Sequence, residues 1–223
     1  MSLISDNLAR VRQDIPQGVR LVCVSKFHPA ESIEEAYRAG ERLFGESRVQ
    51  ELVDKQPVLP KDIQWHFIGH LQTNKVKFLV PFVDLIHGVD SMKLLQEIDR
   101  QAAKIVRRVD CLLQVHIATE DTKFGFSPDE IEMLFAEMDW STLPNIRICG
   151  LMGMATFTDN HDLVSSEFRL LSSLYSKIKE QYFANQDHFK ELSMGMSDDF
   201  RLAIAEGSTL VRIGSSIFGS RSY

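Results

Sequence analysis

Apolar positions along this chain fall into short β-forming runs, separated by longer stretches in which they recur every three or four residues. Ile4, Leu8, Val11 and Ile15 are spaced by four, three and four, which predicts an opening amphipathic helix that Gly18 ends. A first strand is predicted over 20–26, followed by a helix from Pro29 to Ala39 and a short strand over Arg42-Leu43-Phe44-Gly45. A helix near 48–55, a strand from Ile63 to Gly69 and a short helix from Asn74 come next, then a strand from Asp84 to Val89 and a helix from Ser91 to about Val106. Val109 to Ile117 reads as the fifth strand. Ser127-Pro128-Asp129-Glu130 then opens a helix with an N-cap serine, a proline at its first position and a glutamate at its third. Ile146 to Ala155 is the sixth strand. Val164, Phe168, Leu171, Tyr175, Ile178 and Tyr182 follow at alternating steps of four and three, the strongest helical stripe in the chain. Glu191 to Met196 is the seventh strand, a short helix follows Ser197, and Thr209 to Ile213 is the eighth.

Strands alternating with helices, without internal repeats or low-complexity linkers, predict an α/β fold with a parallel sheet closed as a single (β/α)₈ barrel plus an extra N-terminal helix. A doubly wound open sheet is the alternative. No shift of composition marks a boundary, so residues 1–223 read as one domain, long enough to bury a substantial core. Lysine and arginine number 25 against 31 aspartates and glutamates, a net charge of −6 that argues against nucleic acid or an anionic membrane held by bulk charge. Met1 to Asp6 lacks the basic and apolar segments of a secretory signal, and no apolar run reaches membrane-spanning length. Cys23, Cys111 and Cys149 lie far apart in apolar strands and read as reduced core thiols of a cytoplasmic protein.

The chemistry is sought where barrels of this kind keep it, in the loops after the strand C-termini. Lys26 stands at that end of the first strand, either as a solvated strand end or as an amine aimed into a site. The seventh strand runs into Ser197, a candidate N-cap of the next helix, and the eighth runs into Gly214-Ser215-Ser216. Small residues beside a helix start let backbone N–H groups approach an anion, and the loops after strands seven and eight are the usual phosphate position of this fold. Gly214-Ser215-Ser216 reads equally well as an ordinary turn. A phosphate site facing a strand-end lysine suggests a phosphorylated aldehyde, because lysine condenses with carbonyls once a neutral fraction is available. Pyridoxal 5′-phosphate joins both features. Arg212 is then either a structural ion-pair partner or a guanidinium beside the pyridine nitrogen, keeping that nitrogen unprotonated.

Six ordered segments carry a resemblance: Val24-Ser25-Lys26, Phe44 to Glu51, Trp65 to Lys75, Gly150 to Met154, Leu192 to Asp199 and Gly207 to Gly214. Together they resemble the pyridoxal phosphate homeostasis protein family, almost end to end. The resemblance implies a fold-type III barrel similar to the N-terminal domain of alanine racemase. It implies that Lys26 forms the Schiff base, that Ser197 and the backbone around Gly214 and Ser215 hold the phosphate, and that Arg212 faces the pyridine nitrogen. Family members place an asparagine near the ring hydroxyl, within Phe-Gly-Glu-Asn. Ser47 stands there in this chain, and its shorter side chain favours a bridging water over a direct contact.

Other patterns carry less. His66 and His70 are four apart, but in a strand that spacing separates side chains by about 13 Å, which argues against a metal pair. Gly214 to Phe218 fails the serine-hydrolase elbow at its last position, and neither a phosphate loop nor a dinucleotide fingerprint occurs. Met152, Met154, Met194 and Met196 border the expected site and read mainly as core filling. Gln72-Thr73-Asn74-Lys75 reads as a solvated loop, with Thr73 or Asn74 capping the helix after it.

Two functions remain, beside the bland reading of a barrel whose cofactor site is vestigial. The first is a carrier that binds pyridoxal 5′-phosphate reversibly, serves vitamin B6 homeostasis without clear turnover, and hands the cofactor to apo-enzymes. The second is an amino-acid racemase or another enzyme dependent on the same cofactor. Racemisation needs two bases on opposite faces of the substrate. Tyr37, Tyr175 and Tyr182 are predicted on outer helices, and the chain ends at Tyr223 directly after the eighth strand, without the second domain that supplies the racemase tyrosine. The carrier is therefore the expected function, and a monomer the expected state.

Overall fold

The computed structural model describes residues 3–120 and 124–219. Its strands are β1 (Arg20–Val24), β2 (Leu43–Glu46), β3 (Gln64–Phe67), β4 (Leu85–Val89), β5 (Val109–Val115), β6 (Ile146–Gly153), β7 (Glu191–Ser193) and β8 (Leu210–Ile213). Each pairs in parallel with the next, and β1 pairs with β8 through Arg20–Leu210 to Cys23–Ile213, closing the barrel. The open-sheet alternative is excluded. The helices are α1 (Leu3–Gln13), α2 (Ala30–Arg38), α3 (Val49–Lys55), α4 (Val76–Leu79), α5 (Met92–Lys104), α6 (Pro128–Glu137), α7 (His161–Tyr182), α8 (Phe200–Ala205) and α9 (Ser215–Phe218).

The alternation of side chains along each strand divides the core into two layers. Leu21, Cys23, Phe44, Trp65, Phe67, Ile86, Leu113, Leu192, Val211 and Ile213 face the helices. Val22, Leu43, Leu85, Leu112, Cys149, Met152 and Leu210 fill the interior. The apolar stripe of α7 buries Val164, Phe168, Leu171, Tyr175 and Ile178 against the outer layer, and the Asn160 side chain caps its start at Leu163 N–H. The capping box of α6 forms in full between Ser127 and Glu130. All three cysteines are buried free thiols. No described helix is long and apolar enough to cross a membrane.

Several boundaries differ from the sequence reading for local reasons. The opening helix stops at Gln13 because Ile15 precedes Pro16, and Pro16 disfavours helical backbone at the residue before it. Ile15 still packs against the core from outside the helix. β7 ends at Ser193, three residues early, because Gly195 turns into the left-handed region at φ +94. Neither Thr73 nor Asn74 caps the next helix. The turn Thr73–Lys75 is a 3₁₀ segment entered from Gln72 without a side-chain cap.

One glycine permits the β6–β7 pairing. A Cβ at Gly150, where φ is +151, would lie 1.7 Å from the Glu191 carbonyl oxygen. Gly150→Ala is expected to cost about 3 kcal/mol or more, seen as a lowered urea midpoint, since both backbone strain and strand separation oppose it. An unchanged midpoint would show that the sheet gives way there at little cost.

Candidate binding site at the barrel mouth

Strands β1, β7 and β8 deliver their following loops to one cavity of about 300 Å³ at the C-terminal end of the barrel. Lys26, Ser197, Arg212, Gly214 and Ser215 all line it. Five of the six residues singled out from the sequence thus converge across almost two hundred positions of chain. Ser47 is half-buried beyond the end of β2 and does not line this cavity. Its backbone is crowded by Gly69, where a Cβ would come within 2.2 Å of the Ser47 carbonyl oxygen.

Lys26 is placed by a strained turn. Phe27, directly after it, has φ +67, a left-handed backbone that costs an L-residue about 1–2 kcal/mol. The Glu51 carboxylate holds that turn by accepting the Phe27 N–H at 2.7 Å, and the Arg48 guanidinium lies 4.4 Å over the Phe27 ring. Beneath the turn, Lys55 Nζ donates to Ser25 O at 3.0 Å, to Glu46 Oε1 at 2.7 Å and to Glu51 Oε1 at 2.6 Å. Ser25 Oγ also donates to Glu46 Oε1 at 2.7 Å. This buried cluster ties the residue before Lys26 to the residue before Ser47. Burial pushes the Glu46 carboxyl up to about 7, against the pull of Lys55. His28 lines the cavity and its ring packs tilted against Phe218, with centroids 5.3 Å apart, joining the Lys26 loop to α9.

The opposite side of the mouth is built from backbone and hydroxyl groups. Ser197 was expected to cap α8, but its Oγ accepts the Gly214 N–H at 3.2 Å. Asp199 occupies the cap position of α8, and its side chain accepts the Met196 N–H at 2.6 Å instead. The correction follows from the turn at Gly195, which carries Ser197 over the β8 loop and leaves the helix start two residues later. α9 begins at Ser215, and the first N–H groups of a helix have no partner within it.

Arg212 is 4% exposed and donates from Nη1 to Ser193 Oγ at 2.5 Å and from Nη2 to Gly153 O at 3.0 Å. Burial lowers its guanidinium to about 10, partly offset by Asp199. Met154 and Met196 line the cavity, whereas Met152 and Met194 are buried in the core. His66 and His70 part as expected: His66 points into the barrel toward His87, and His70 pairs with Asp90 at 2.9 Å. No cluster suited to a metal ion occurs among the described residues. Tyr37 bonds Asp62 and Tyr175 bonds Phe189 O, both on the outer layer, and Tyr223 lies outside the described residues.

The Phe27 strain, the Lys55 cluster, His28 and the residues behind Arg212 were missed from the sequence. Glu51 and Lys55 on a short helix resemble any solvated face, and only Glu46, charged within an apolar strand, carried a signal.

Comparison with known proteins agrees with this geometry. The family described as alanine racemase, N-terminal domain, matches residues 1–222. A pyridoxal phosphate homeostasis protein of Aquifex aeolicus (strain VF5) is 42% identical over 205 residues, covering 92% of this chain and 88% of the relative. That of Escherichia coli (strain K12) is 36% identical over 237 residues, covering 100% and 99%. The structure of PipY from Synechococcus elongatus PCC7942 without PLP superposes with a TM-score of 0.89 at 39% identity, over 97% of this chain and all of that one. The same protein with PLP bound gives 0.85 at 38% identity. With a closed eight-stranded barrel, a strand-end lysine facing a serine- and glycine-lined loop, and matches of this length, the chain belongs to the alanine racemase N-terminal domain family and, within it, to the pyridoxal phosphate homeostasis proteins.

Proposed function

We propose that this chain holds pyridoxal 5′-phosphate as a Schiff base on Lys26 and serves cofactor homeostasis inside the cell without catalytic turnover. The observation that carries the reading is the convergence of an amine, a buried guanidinium, a hydroxyl and a helix start on one cavity. That donor set fits a phosphorylated aldehyde, and the volume suits a small ligand. Bound pyridoxal 5′-phosphate supplies a carbonyl that an amine captures reversibly and a ring that draws electrons when its nitrogen is protonated. The Ser197 hydroxyl, placed by the Gly214 N–H, and the backbone N–H of Ser215 offer hydrogen bonds and a favourable helix end to the phosphate. Arg212 presents a positive charge that disfavours protonation of a neighbouring ring nitrogen. Ser47 lies outside the cavity lining, so a contact with the ring hydroxyl requires a bridging water. PLP bound to the related PipY supports the same ligand here.

A carrier is favoured over a racemase because none of the three described tyrosines is in reach of the mouth as a second base. The domain over 1–223 acts as a cytoplasmic monomer, and its recipients are apo-enzymes that use the same cofactor. Borohydride reduction of the loaded protein followed by peptide mapping is expected to find the cofactor on Lys26. A label on another lysine would overturn the assignment. A panel of amino acids is expected to show no appreciable turnover, and Lys26-dependent racemisation of any of them would replace the carrier by an enzyme.

A further inference from the structure

Behind Arg212, the barrel interior carries a line of polar side chains that ligand binding leaves unused. Arg212 on β8 donates from Nη1 to Ser193 Oγ on β7 at 2.5 Å. Ser193 Oγ lies 2.9 Å from His87 Nδ1 on β4, and His87 Nε2 lies 2.8 Å from His66 Nδ1 on β3. Ser193 and His87 have no exposed surface, and His66 has 3%. The line therefore crosses the barrel from one wall to the other. It ends on a residue that lines a second, polar cavity of about 490 Å³ at the strand N-termini, together with Arg20, Gln64, Asp110, Arg147 and Glu191.

Hydrogen-bond chemistry gives the line a direction. Arginine only donates, so Ser193 Oγ receives the hydrogen from Arg212 and keeps its own hydroxyl hydrogen to give away. Were His87 to carry a hydrogen on Nδ1, Ser193 would accept twice and its O–H would be stranded in a dry site, at a cost of about 1–3 kcal/mol. His87 Nδ1 must accept, which puts its hydrogen on Nε2. That hydrogen goes to His66 Nδ1, and the same logic puts the hydrogen of His66 on Nε2.

We propose that Ser193, His87 and His66 form a one-way hydrogen-bond chain that positions Arg212, with both imidazoles neutral and protonated on Nε2. As positioning residues they act on the ligand only through Arg212, so their effect on binding rests on the reading that Arg212 faces the cofactor ring. Neutrality is what the surroundings demand. A charged imidazole here would stand beside the buried guanidinium without a counter-ion in the line. Burial accordingly holds His66 down to about 3 and His87 well below the usual histidine range, with Arg212 and His66 adding to the second effect. Ser193 on one side and the Gly153 carbonyl on the other anchor both terminal nitrogens of Arg212.

The test uses the full chain labelled with ¹⁵N-histidine and ¹⁵N-arginine. In the ligand-free protein at neutral pH, His66 and His87 are expected as neutral Nε2–H tautomers, assigned with His66→Gln and His87→Gln. The Arg212 Nη hydrogens are expected to exchange slowly. A hydrogen on Nδ1 of either ring, or a charged ring, would overturn the chain. His87→Phe is expected to speed Arg212 Nη exchange, weaken pyridoxal 5′-phosphate retention about tenfold and shift the bound-cofactor absorption band, as expected for loss of one buried bond in series with a charged group. His87→Gln can accept from Ser193 through Oε1 and donate to His66 through Nε2, and is expected to restore all three readouts. Equal behaviour of the two variants would overturn positioning, and the tautomers decide the chain even if His87→Phe fails to fold. If the wild-type protein retains no cofactor, the binding reading fails, while tautomers and Arg212 exchange still decide the chain.

Discussion

Lys26→Ala is expected to abolish covalent capture of pyridoxal 5′-phosphate and weaken its retention by at least about two decades, equivalent to about 2.7 kcal/mol. The expectation follows from the cavity, where Lys26 contributes the amine and Ser197, Gly214, Ser215 and Arg212 contribute groups that hold without bonding covalently. Lys26→Arg separates chemistry from charge, since a guanidinium keeps the positive charge at similar reach but stays protonated and forms no imine. Both variants are expected to lose the visible absorption band of the loaded protein, the borohydride-fixed label and cofactor transfer to an apo-enzyme. Neither should unfold, because the Glu51 carboxylate holds the turn at Phe27. Retention of the band in Lys26→Ala would place the reactive amine elsewhere and dissolve the proposed site.

The second large effect is on stability. Lys55→Met keeps the side-chain volume but removes the ammonium that meets Glu46, Glu51 and the Ser25 carbonyl. Glu46 has no exposed surface, and its Oε2 already lacks a hydrogen-bond partner among the described residues. Stranding that carboxylate is expected to cost about 3–5 kcal/mol near pH 8, the scale for breaking a buried pair from one side. The sign of the pH dependence is fixed by the same burial. Glu46 is already raised to about 7 with Lys55 pulling it down, so loss of Lys55 raises it further. A carboxyl raised in the folded state favours folding at low pH and loses that advantage as pH rises through its folded value. Urea titrations at about pH 8 and about pH 5 are therefore expected to show a penalty that shrinks on acidification. An equal penalty at both values would mean that Glu46 is not the group left uncompensated.

The sequence pattern located every strand, because strand and helix periods are local and the two-layer core repeats them faithfully. Its errors sit where distant segments compete for a group. Ser197 has the look of a helix cap, yet its hydroxyl is taken by Gly214 N–H from the next strand's loop. Strand seven reads on through Met196, but the backbone turns at Gly195 and brings that loop over the mouth. The positions of Lys26, Arg212 and Gly214 at strand ends were legible once a barrel was assumed. The supports behind them were not. Which residue of β3 meets which of β4 and β7 inside a barrel depends on register around the whole circumference, and no local spacing reports it. No local pattern accordingly links His66 with His87, although their rings bond at 2.8 Å.

The closure of β1 on β8 also sets an order of events while the chain is being made. Lys26 and the Lys55 cluster are encoded within the first quarter of the sequence, whereas Arg212 and Gly214 follow nearly all the rest. The mouth is finished only when α9 docks, and α9 is fastened to the first helix by Asn7 Nδ2 donating to the Ile217 carbonyl at 3.0 Å. A growing chain thus exposes its amine early and assembles the opposing wall last. Such long-range pairing is the slow step in forming sheets of this topology. Under the proposed function, a reactive aldehyde would before that step meet an ordinary, solvated lysine, and selectivity for the ligand would arrive with the last elements to fold.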